Sequence, residues 1–509
     1  MKNKQKLGIL ILISTLIRLV LGAGTQLGND EVYYWTYAKY PDWSHFDHPP
    51  MVGFFQQLFS LNLLFDSELA LRLGFIVSGT LITLLMYLIG KEIKDEKTGL
   101  LAAIFYNTSI YGFIISGLFI MPDGPMVLFW MTSLLFFIKY QKATEAKKAN
   151  LFLSLSLLSV SLGIYSKYQA VYLLFGYGVY WLVYRRDQLK NPVIYLNLCF
   201  TAFIVFIIVY WNYLHSFTGV TYHSDRVTLF SLDFNLDSFL QEFFGQIAYN
   251  NPYNYIITLI ALFAFKKKKY VDQHYFKLFV VISVPLILTT LFFSLYRETL
   301  PHWSGVSFLT LSLLAAAFLS EKSKNNGLYI NLLVIFSLMI FALGVVNKGW
   351  LVDMGSSDQP MNKLGKNDPT LDMFGWDQFE HELENFLSEH KELVELPIVS
   401  NKWYPGSHLF YYVARPLEKE LYVLGRMKDM HKYYWINQTM TGLSAGDDGI
   451  YVTYSRSFKD PKKTMTAFFS EMELLHQFPI KRSGKTVEYG YIYLLQDFKN
   501  SNLEEQVKE

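Results

Sequence analysis

Long apolar runs recur through the first 346 residues and alternate with short polar stretches. A helix needs roughly 20 consecutive apolar residues to cross a bilayer, so the pattern predicts about eleven transmembrane helices. The predicted spans are Leu7–Ala23, Leu69–Ile89, Gly99–Ile115, Pro125–Ile138, Leu151–Tyr165, Ala170–Tyr184, Val193–Leu214, Tyr253–Phe265, Phe276–Tyr296, Val306–Leu319 and Leu328–Val346. We therefore expect a polytopic α-helical membrane domain over residues 1–346.

Two connections between these spans are unusual. Met51–Phe65 is apolar but follows Pro49-Pro50, so it predicts a helix that lies in the membrane interface, with Gln56 and Gln57 on its wetter side. Residues 217–251 form a long aromatic connection, and their pattern fits either a lid or a short interfacial helix.

The pattern changes after Val346. Apolar residues at helical spacing predict an amphipathic helix over Asp377–Glu392. Short β-type runs predict strands at Leu396–Ser400, Glu420–Leu424, Ile450–Tyr454 and Glu488–Leu495, and helices are expected near Ser407–Val413 and Pro461–Leu475. Residues 347–509 are thus expected to form a soluble α/β domain of ordinary size.

Composition supports a membrane protein. Of the 509 residues, 52% are hydrophobic and only 17% are charged, which is too apolar for a soluble enzyme of this length. The net charge of +2 does not suggest a nucleic-acid partner, and one cysteine excludes an intramolecular disulfide framework.

The distribution of basic residues predicts the orientation of the chain. Alternate connections are rich in Lys and Arg, for example Lys2–Lys6, Lys91–Lys97 and Lys266–Lys269, whereas the intervening ones carry scarcely one each. The positive-inside rule makes the first set cytoplasmic. We therefore expect a multi-pass protein of the cell (inner) membrane, with a cytoplasmic amino terminus and an extracytoplasmic C-terminal domain.

The connections predicted to face outward also contain the unusual polar groups. Asn29–Pro50 places Asp30-Glu31, Asp47-His48 and seven aromatic rings next to the first span, within an outer loop that we place at residues 24–68. Aromatic rings of this kind suit a membrane interface and also stack on sugars, so both a reaction site and a simple aromatic belt fit the stretch. Since ionisable groups at membrane depth are costly, their concentration on one side predicts a single external cavity.

Six short motifs in this order resemble the GT-C membrane glycosyltransferases, in particular the protein O-mannosyltransferases and the lipid A aminoarabinose transferases. The motifs are Asp30-Glu31, Asp47-His48-Pro49-Pro50, Pro122-Asp123-Gly124-Pro125, Ser166-Lys167-Tyr168, Trp211-Asn212 and His302-Trp303. The resemblance implies an enzyme that moves a sugar from a polyprenyl-phosphate donor to an extracytoplasmic lipid, glycan or protein.

Such a transfer needs a general base for the acceptor hydroxyl and positive charge for the departing phosphate. Asp30 is the expected base, and Glu31 is expected to orient it or to bind the acceptor. The cations expected at the phosphate are Lys167, His48 and Arg226, with His302 behind them, and Tyr168 and Trp303 are further expected contacts. In the aminoarabinose transferases a lysine stands where this chain has His48, which weakens the case for that substrate.

Two further alternatives bear on the site. Asp47 and Asp123 could hold a divalent metal, although no cofactor is certain and Asp123 also fits a helix N-cap. The rival function is a transporter or flippase for lipid-linked saccharides. That class usually has internal repeats and paired helix interruptions, and the sequence displays neither.

Overall fold

The computed structural model describes residues 2–219, 221, 234–352 and 360–499. The chain divides into two compact units. The helical unit comprises Met1–Gly22 and Pro41–Met339, and the C-terminal unit comprises Ala23–Tyr40 and Ile340–Glu509. The segment that holds Asp30 and Glu31 therefore belongs to the C-terminal unit, although it follows the first helix in sequence.

The described part of the helical unit consists of α-helices joined by short turns. In chain order they are α1 (Asn3–Gly24), α3 (Met51–Phe59), α4 (Glu68–Ile93), α5 (Glu96–Thr108), α6 (Asp123–Lys142), α7 (Ala146–Ile164), α8 (Val171–Tyr184), α9 (Pro192–Leu214), α10 (Leu236–Asn250), α11 (Pro252–Ala264), α12 (Gln273–Ser294), α13 (Gly305–Ser320) and α14 (Asn326–Lys348). The last turns of α1 and α14 fall in the C-terminal unit.

Each of the eleven predicted spans lies on helical backbone. The prediction for Gly99–Ile115 needs one correction, because α5 ends at Thr108 and a separate π-helical turn covers Tyr111–Ile115. Six stretches are long and apolar enough to cross a membrane, namely α1, α4, α9, α12, α14 and the stretch Pro301–Ser320 that includes α13. The chain is therefore a membrane protein, and the total of about eleven crossings stays a prediction.

The two unusual connections also form helices. α3 is shorter than the predicted Met51–Phe65, because positive φ angles at Leu61, Asn62 and Leu63 end it. Gln56 does not lie on a wet side: it is buried and its Nε2 donates to the Val52 carbonyl. Within residues 217–251, Leu236–Asn250 forms α10, while 220 and 222–233 lie outside the described residues.

Small residues let the helices pack closely. A Cβ atom added at Gly90 in α4 would lie 2.7 Å from the Cα atom of Gly99 in α5, so the two backbones meet at this point. Between helices that lie in lipid, such contact replaces the hydrophobic drive of water-soluble cores. Buried polar groups also join helices that are distant in sequence, as where the Trp130 Nε1 in α6 donates to Thr310 Oγ1 in α13 at 3.0 Å.

Arg18 is a charged residue inside the first membrane helix, and it is completely buried. Its guanidinium lies 4.1 Å from the Phe113 ring centroid, and its Nε donates to the Phe113 carbonyl at 3.2 Å. Gly79 and Gly117 leave the space for it, since Cβ atoms there would lie about 3 Å from its nitrogens. The cation is thus held by a ring face and a carbonyl within the helical unit.

The C-terminal unit is an α/β domain, as predicted. Its elements are α2 (Asn29–Lys39), α15 (Trp376–Glu389), β1 (Ile398–Ser400), α16 (Trp403–Leu409), β2 (Leu421–Val423), α17 (Met427–Met430), α18 (Tyr433–Asn437), β3 (Gly449–Tyr454), α19 (Pro461–Thr464), β4 (Phe469–Arg482) and β5 (Lys485–Phe498). The strand order is β2-β1-β3-β5-β4. β1 pairs in parallel with β2 and β3, and β5 is antiparallel to β3 and β4.

The predicted helix over Pro461–Leu475 is wrong beyond its first turn. α19 ends at Thr464, and the chain from Phe469 to Arg482 forms β4. Ser483 and Gly484 both have positive φ, which suits the tight turn of a β-hairpin, and they fold β4 back onto β5. Long-range pairing therefore overrides the helical spacing of the apolar residues in this stretch.

Arg482, at the end of β4, is fully buried, and both of its terminal nitrogens, Nη1 and Nη2, have partners. It forms an ion pair with Asp368, and its Nη1 donates to Thr370 Oγ1 at 2.8 Å and to the Val346 carbonyl at 3.2 Å. The pair therefore ties the end of α14 and the turn Pro369–Met373 to the sheet.

We expect Asp368→Ala to destabilise the C-terminal unit by about 3–5 kcal/mol, because it leaves a buried guanidinium unpaired. Hydrogen exchange of the amides in β4 and β5 measures the change in opening free energy. The double variant Asp368→Ala/Arg482→Met should recover much of the loss. Glu384→Ala on the exposed face of α15 is the control, with an expected change within about 0.5 kcal/mol. If Asp368→Ala lowered the opening free energy as little as the control does, the Asp368–Arg482 ion pair would not stabilise the unit.

Candidate functional site

A buried ion pair marks the polar centre of the helical unit. Asp123 is the first residue of α6, and Lys167 follows the end of α7. The Lys167 Nζ lies 2.6 Å from Asp123 Oδ2, and the two side chains are 2% and 1% exposed. The Tyr111 hydroxyl donates to the other carboxylate oxygen, Asp123 Oδ1, at 2.8 Å. Both oxygens of Asp123 are therefore engaged by donors of the same unit.

Backbone geometry places these groups. The π-helical turn Tyr111–Ile115 directs Tyr111 toward Asp123, and Gly305 at the start of α13 makes room for its ring, since a Cβ atom there would lie 2.4 Å from Tyr111 Cγ. Asp123 itself does not act as an N-cap. Pro122 holds that position without a side-chain cap, and the carboxylate is used instead for Lys167 and Tyr111.

His302 lies next to this pair on a 3-10 turn, Pro301–Ser304, which also contains Trp303. His302 is close enough to Asp123 and Lys167 for direct electrostatic interaction with both. The segment before the turn is fixed by a buried acid, because Glu242 in α10 accepts a hydrogen bond from the Thr299 hydroxyl at 2.8 Å. Asp123, Lys167 and His302, which come from three separate motifs, are therefore neighbours in space.

Asp47 and His48 lie on the loop 41–50, which packs on the ends of α7 and α9. The Tyr165 hydroxyl donates to the Trp43 carbonyl at 2.9 Å, and the Trp211 Nε1 donates to Asp42 Oδ2 at 2.7 Å. These contacts bring the loop to the Lys167-Tyr168 segment.

Tyr168 joins this loop to the buried pair through its neighbour Lys167. The His48 and Tyr168 ring centroids are 6.4 Å apart, and the Tyr168 phenol lies close to the Asp47 carboxylate. Asp47, His48, Asp123, Lys167, Tyr168 and His302 thus all belong to one neighbourhood of the helical unit.

Asp30 and Glu31 occupy the first turn of α2 in the C-terminal unit. Asp30 is exposed, whereas Glu31 is 2% exposed and its Oε2 accepts the Gly28 amide at 3.0 Å. The Glu31 carboxylate therefore stabilises the start of the helix that carries Asp30. The two adjacent acids predicted as one catalytic pair have different environments in the structure.

The residues just before α2 are anchored by the C-terminal unit. The Leu27 amide donates to the Tyr412 hydroxyl at 2.6 Å, and the Leu27 carbonyl lies 3.0 Å from His408 Nε2. The Asn29 amide donates to Asp372 Oδ2 at 3.1 Å. The His408 ring is also stacked on the indole of Trp376, with centroids 4.0 Å apart.

The other end of α2 is held by Lys432. Its Nζ donates to the carbonyls of Thr36 and Tyr40 at 3.1 and 2.6 Å. A cation at the C-terminal end of a helix satisfies unpaired carbonyls and interacts favourably with the helix dipole. The helix of Asp30 is therefore clamped at both ends within the C-terminal unit.

Sequence reasoning missed several of these groups. Tyr111 lies inside an apolar run and carries no local signal, and His408, Tyr412 and Asp372 are far from α2 along the chain. Arg226, a predicted phosphate contact, lies outside the described residues. The metal at Asp47 and Asp123 stays a prediction. Over the described ranges, no three or more His, Cys, Asp or Glu side chains gather as a metal-ligand group.

Comparisons with known proteins bear on the fold and on the family resemblance. Residues 47–211 match the family model described as dolichyl-phosphate-mannose-protein mannosyltransferase. The fold is similar to that of ArnT from Cupriavidus metallidurans in the apo state, with 11% identity, 96% of this chain and 98% of that chain covered, and a TM-score of 0.59.

The structure of ArnT from Cupriavidus metallidurans bound to undecaprenyl phosphate is also similar in fold. It has 12% identity, 95% of this chain and 97% of that chain are covered, and the TM-score is 0.57. No curated protein sequence matches the chain significantly. The likeness to ArnT confirms the GT-C fold. The family match, which lies within the helical unit, supports the predicted resemblance to the protein mannosyltransferases.

The anchor of α2 should depend on pH through His408. Burial, with the Arg456 cation nearby, lowers the pKa of His408 to about 3. In the unfolded chain the His408 imidazole takes up a proton as the pH falls through about 6.5. In the folded state its burial opposes protonation until the pH approaches 3. The stabilising contribution of neutral His408 is therefore complete above about pH 6.5 and is lost as the pH falls toward 3, by up to ~1.4 kcal/mol per pH unit.

Hydrogen exchange of amides 27–39 in the wild type and in His408→Gln, compared at each pH, isolates this dependence from intrinsic exchange rates. We expect protection in the wild type to fall between pH 6.5 and 4 relative to His408→Gln. The exposed His381 in α15 provides the control, and His381→Gln should follow the wild type. Parallel profiles for the wild type and His408→Gln would disprove the role of His408.

Proposed function

We propose that this chain, which has the fold of the GT-C membrane glycosyltransferases, transfers a sugar from a polyprenyl-phosphate donor to an acceptor outside the cytoplasm. The observation that carries the proposal is the buried Lys167–Asp123 pair, with Tyr111 and His302 beside it and Asp47, His48 and Tyr168 adjacent. A charged pair is costly at membrane depth and therefore points to a function.

Lys167 supplies the positive charge that a departing phosphate requires. Its ammonium group has three donor positions, and within the described part of the chain one hydrogen bond is assigned to it, to Asp123. The remaining donors suit the oxygens of a lipid phosphate, whose negative charge grows as the bond to the sugar breaks. His48 and His302 are further proposed contacts of the phosphate, through their ring N–H groups.

Asp30 is the proposed general base. Its carboxylate is exposed at the start of α2, and Glu31, Leu27 and Asn29 hold that helix end by named hydrogen bonds. An acceptor hydroxyl becomes a better nucleophile when a positioned carboxylate takes its proton as the bond to the anomeric carbon forms. A clamped helix lowers the cost of holding the carboxylate in place.

The orientation proposed is a cytoplasmic amino terminus with the C-terminal unit outside, in the cell (inner) membrane, as the distribution of Lys and Arg predicts. The structure of ArnT bound to undecaprenyl phosphate supports a polyprenyl phosphate as the carrier. Lipid, glycan and protein all remain candidate acceptors. A transporter of lipid-linked saccharides is the rival, and the family match at residues 47–211 favours the transferase.

We expect Asp30→Asn to abolish sugar transfer while leaving expression and donor binding unchanged, because the amide keeps the shape but cannot accept a proton. Mass spectrometry of envelope glycolipids and glycoproteins compares cells with the wild type, Asp30→Asn, or no copy of the gene. If a sugar is missing from the glycolipids alone or from the glycoproteins alone, both in cells with Asp30→Asn and in cells without the gene, that class contains the acceptor. Asp237→Asn, at an exposed acid in the first turn of α10, is the matched control. Normal transfer by Asp30→Asn would refute the assignment of the base.

We expect Lys167→Met to weaken the binding of undecaprenyl phosphate by about tenfold or more, since a hydrogen bond to a charged group contributes ~1.5–3 kcal/mol. Titration of the purified full-length protein in detergent measures the affinity. Because the single variant leaves Asp123 unpaired, Lys167→Met/Asp123→Asn tests binding without a buried lone charge. Lys190→Met, at an exposed lysine, is the control. Unchanged affinity in a folded double variant would remove Lys167 from the phosphate site.

A further inference from the structure

The helix α11 turns its apolar side chains away from the rest of the helical unit. Four large exposed side chains recur at helical spacing and form the outer face of α11: Ile256, Leu259, Ile260 and Phe263. The buried residues of the helix are polar or small: Asn254, Thr258 and Ala261. The Asn254 Nδ2 fixes this rotation, because it donates to the Phe105 carbonyl in α5 at 3.1 Å. Polar groups inside and apolar groups outside are the reverse of a water-soluble helix, so the outer face of α11 meets lipid.

Four consecutive lysines, Lys266–Lys269, begin two residues after the end of α11, and all four are exposed. The backbone keeps a helical turn at this point, since the Lys268 amide donates to the Ala264 carbonyl at 2.9 Å. Lys267 lies four residues beyond Phe263 and therefore continues the line of the outer face. A lipid-facing apolar stripe thus leads directly into a cluster of positive charge.

The turn after α13 lies beside this run of lysines. The Lys268 Nζ is 2.8 Å from the Oε2 atom of Glu321, the first residue of that turn. Lys322 and Lys324, in the same turn, are exposed. The two turns together contain six lysines and two acids, so their combined charge is clearly positive.

The acids of the two turns are already engaged. Glu321 forms ion pairs with Lys94 and Lys268. Asp272 caps the start of α12, where its Oδ1 accepts the His274 amide at 2.7 Å. By contrast, three ammonium groups of the run have no acceptor assigned among the residues that the structure describes, and we call them the lysine patch: Lys266, Lys267 and Lys269.

The backbone of the lysine patch is held on both sides. Before it, the Phe265 ring is stacked on Phe276 of α12, with centroids 3.7 Å apart. After it, the buried Tyr270 hydroxyl donates to the Ala261 carbonyl at 2.8 Å. A patch whose backbone is already fixed loses less conformational freedom when it binds a ligand.

The two surfaces match the two parts of a phospholipid. The outer face of α11 suits acyl chains, and the lysine patch suits a headgroup with a net negative charge. The helix has 13 residues, a length of about 20 Å, whereas the hydrocarbon core of a bilayer is about 30 Å thick. Lipid beside so short a face brings its headgroup toward the end of the helix, where flexible lysine side chains reach the phosphate. A soluble polyanion would use the lysines but not the apolar face.

We propose that the lysine patch binds the headgroup phosphate of an anionic phospholipid of the surrounding bilayer, whose acyl chains lie along the outer face of α11. Lys322 and Lys324 strengthen the positive potential at this place. The lipid is distinct from the polyprenyl-phosphate donor, for which Lys167 is the proposed contact. The proposal concerns lipid binding and does not depend on the transfer reaction.

Native mass spectrometry of the full-length protein in a neutral detergent measures its affinity for single lipids. The probes are dioleoylphosphatidylglycerol, dioleoylphosphatidylcholine and glycerol 3-phosphate. We expect phosphatidylglycerol to bind about tenfold more tightly than phosphatidylcholine, and glycerol 3-phosphate, which has no acyl chains, not to bind measurably. Lys266→Gln/Lys267→Gln/Lys269→Gln should reduce this preference to about twofold or less. The control is Lys363→Gln/Lys366→Gln/Lys391→Gln, which removes three exposed lysines of the C-terminal unit and should keep the preference.

A second comparison separates this site from the donor site. The preference for phosphatidylglycerol should survive in Lys167→Met/Asp123→Asn, and the variant without the lysine patch should still bind undecaprenyl phosphate. Unaltered protection of α11 and α12 amides from hydrogen exchange establishes that this variant is folded.

Four results would each overturn the proposal. They are equal affinity of the wild type for the two lipids, an unchanged preference without the lysine patch, the same loss in the control, and binding of glycerol 3-phosphate as tight as that of phosphatidylglycerol. Loss of undecaprenyl phosphate binding together with the lysine patch would assign these lysines to the donor instead.

Discussion

The buried pair of Lys167 and Asp123 is the interaction around which the polar centre of the helical unit is arranged. Removing two charges from water costs several kcal/mol for each ion, and the attraction between them compensates only when further hydrogen bonds are made. The hydroxyl of Tyr111 provides such a bond, and His302 contributes a third polar group nearby. A pair of this kind gives little net stability, so its presence is explained better by chemistry at the site than by folding.

The same requirement for satisfied polar groups shapes the rest of the helical unit. Arg18 is buried against an aromatic face and a carbonyl, Trp130 finds Thr310, and Glu242 finds Thr299. The bilayer core offers no water to such groups, and each of these three contacts joins two segments of the unit. The segment that carries His302 owes its position to such a contact, since Thr299 precedes it by three residues.

The C-terminal unit has a structural role that its composition does not reveal. It incorporates α2, and the Leu27 carbonyl and His408 that meet there are 381 residues apart along the chain. Lys432 holds the opposite end of the same helix. The domain therefore fixes the helix that carries the carboxylate proposed as the base.

The sequence by itself determined the helical segments of the membrane region, the α/β character of the C-terminal unit and the set of motifs around Asp123, Lys167 and His302. It could do so because a membrane helix requires a long apolar run and a charged residue inside the bilayer is costly. Apolar runs and unusual charges can both be recognised directly in the amino-acid sequence. Only the tertiary structure decided that Tyr111 binds Asp123, that Glu31 is buried while Asp30 is exposed, and that β4 is a strand. Those outcomes depend on partners distant in sequence, whose pairing energy outweighs local preference and leaves no local pattern to read.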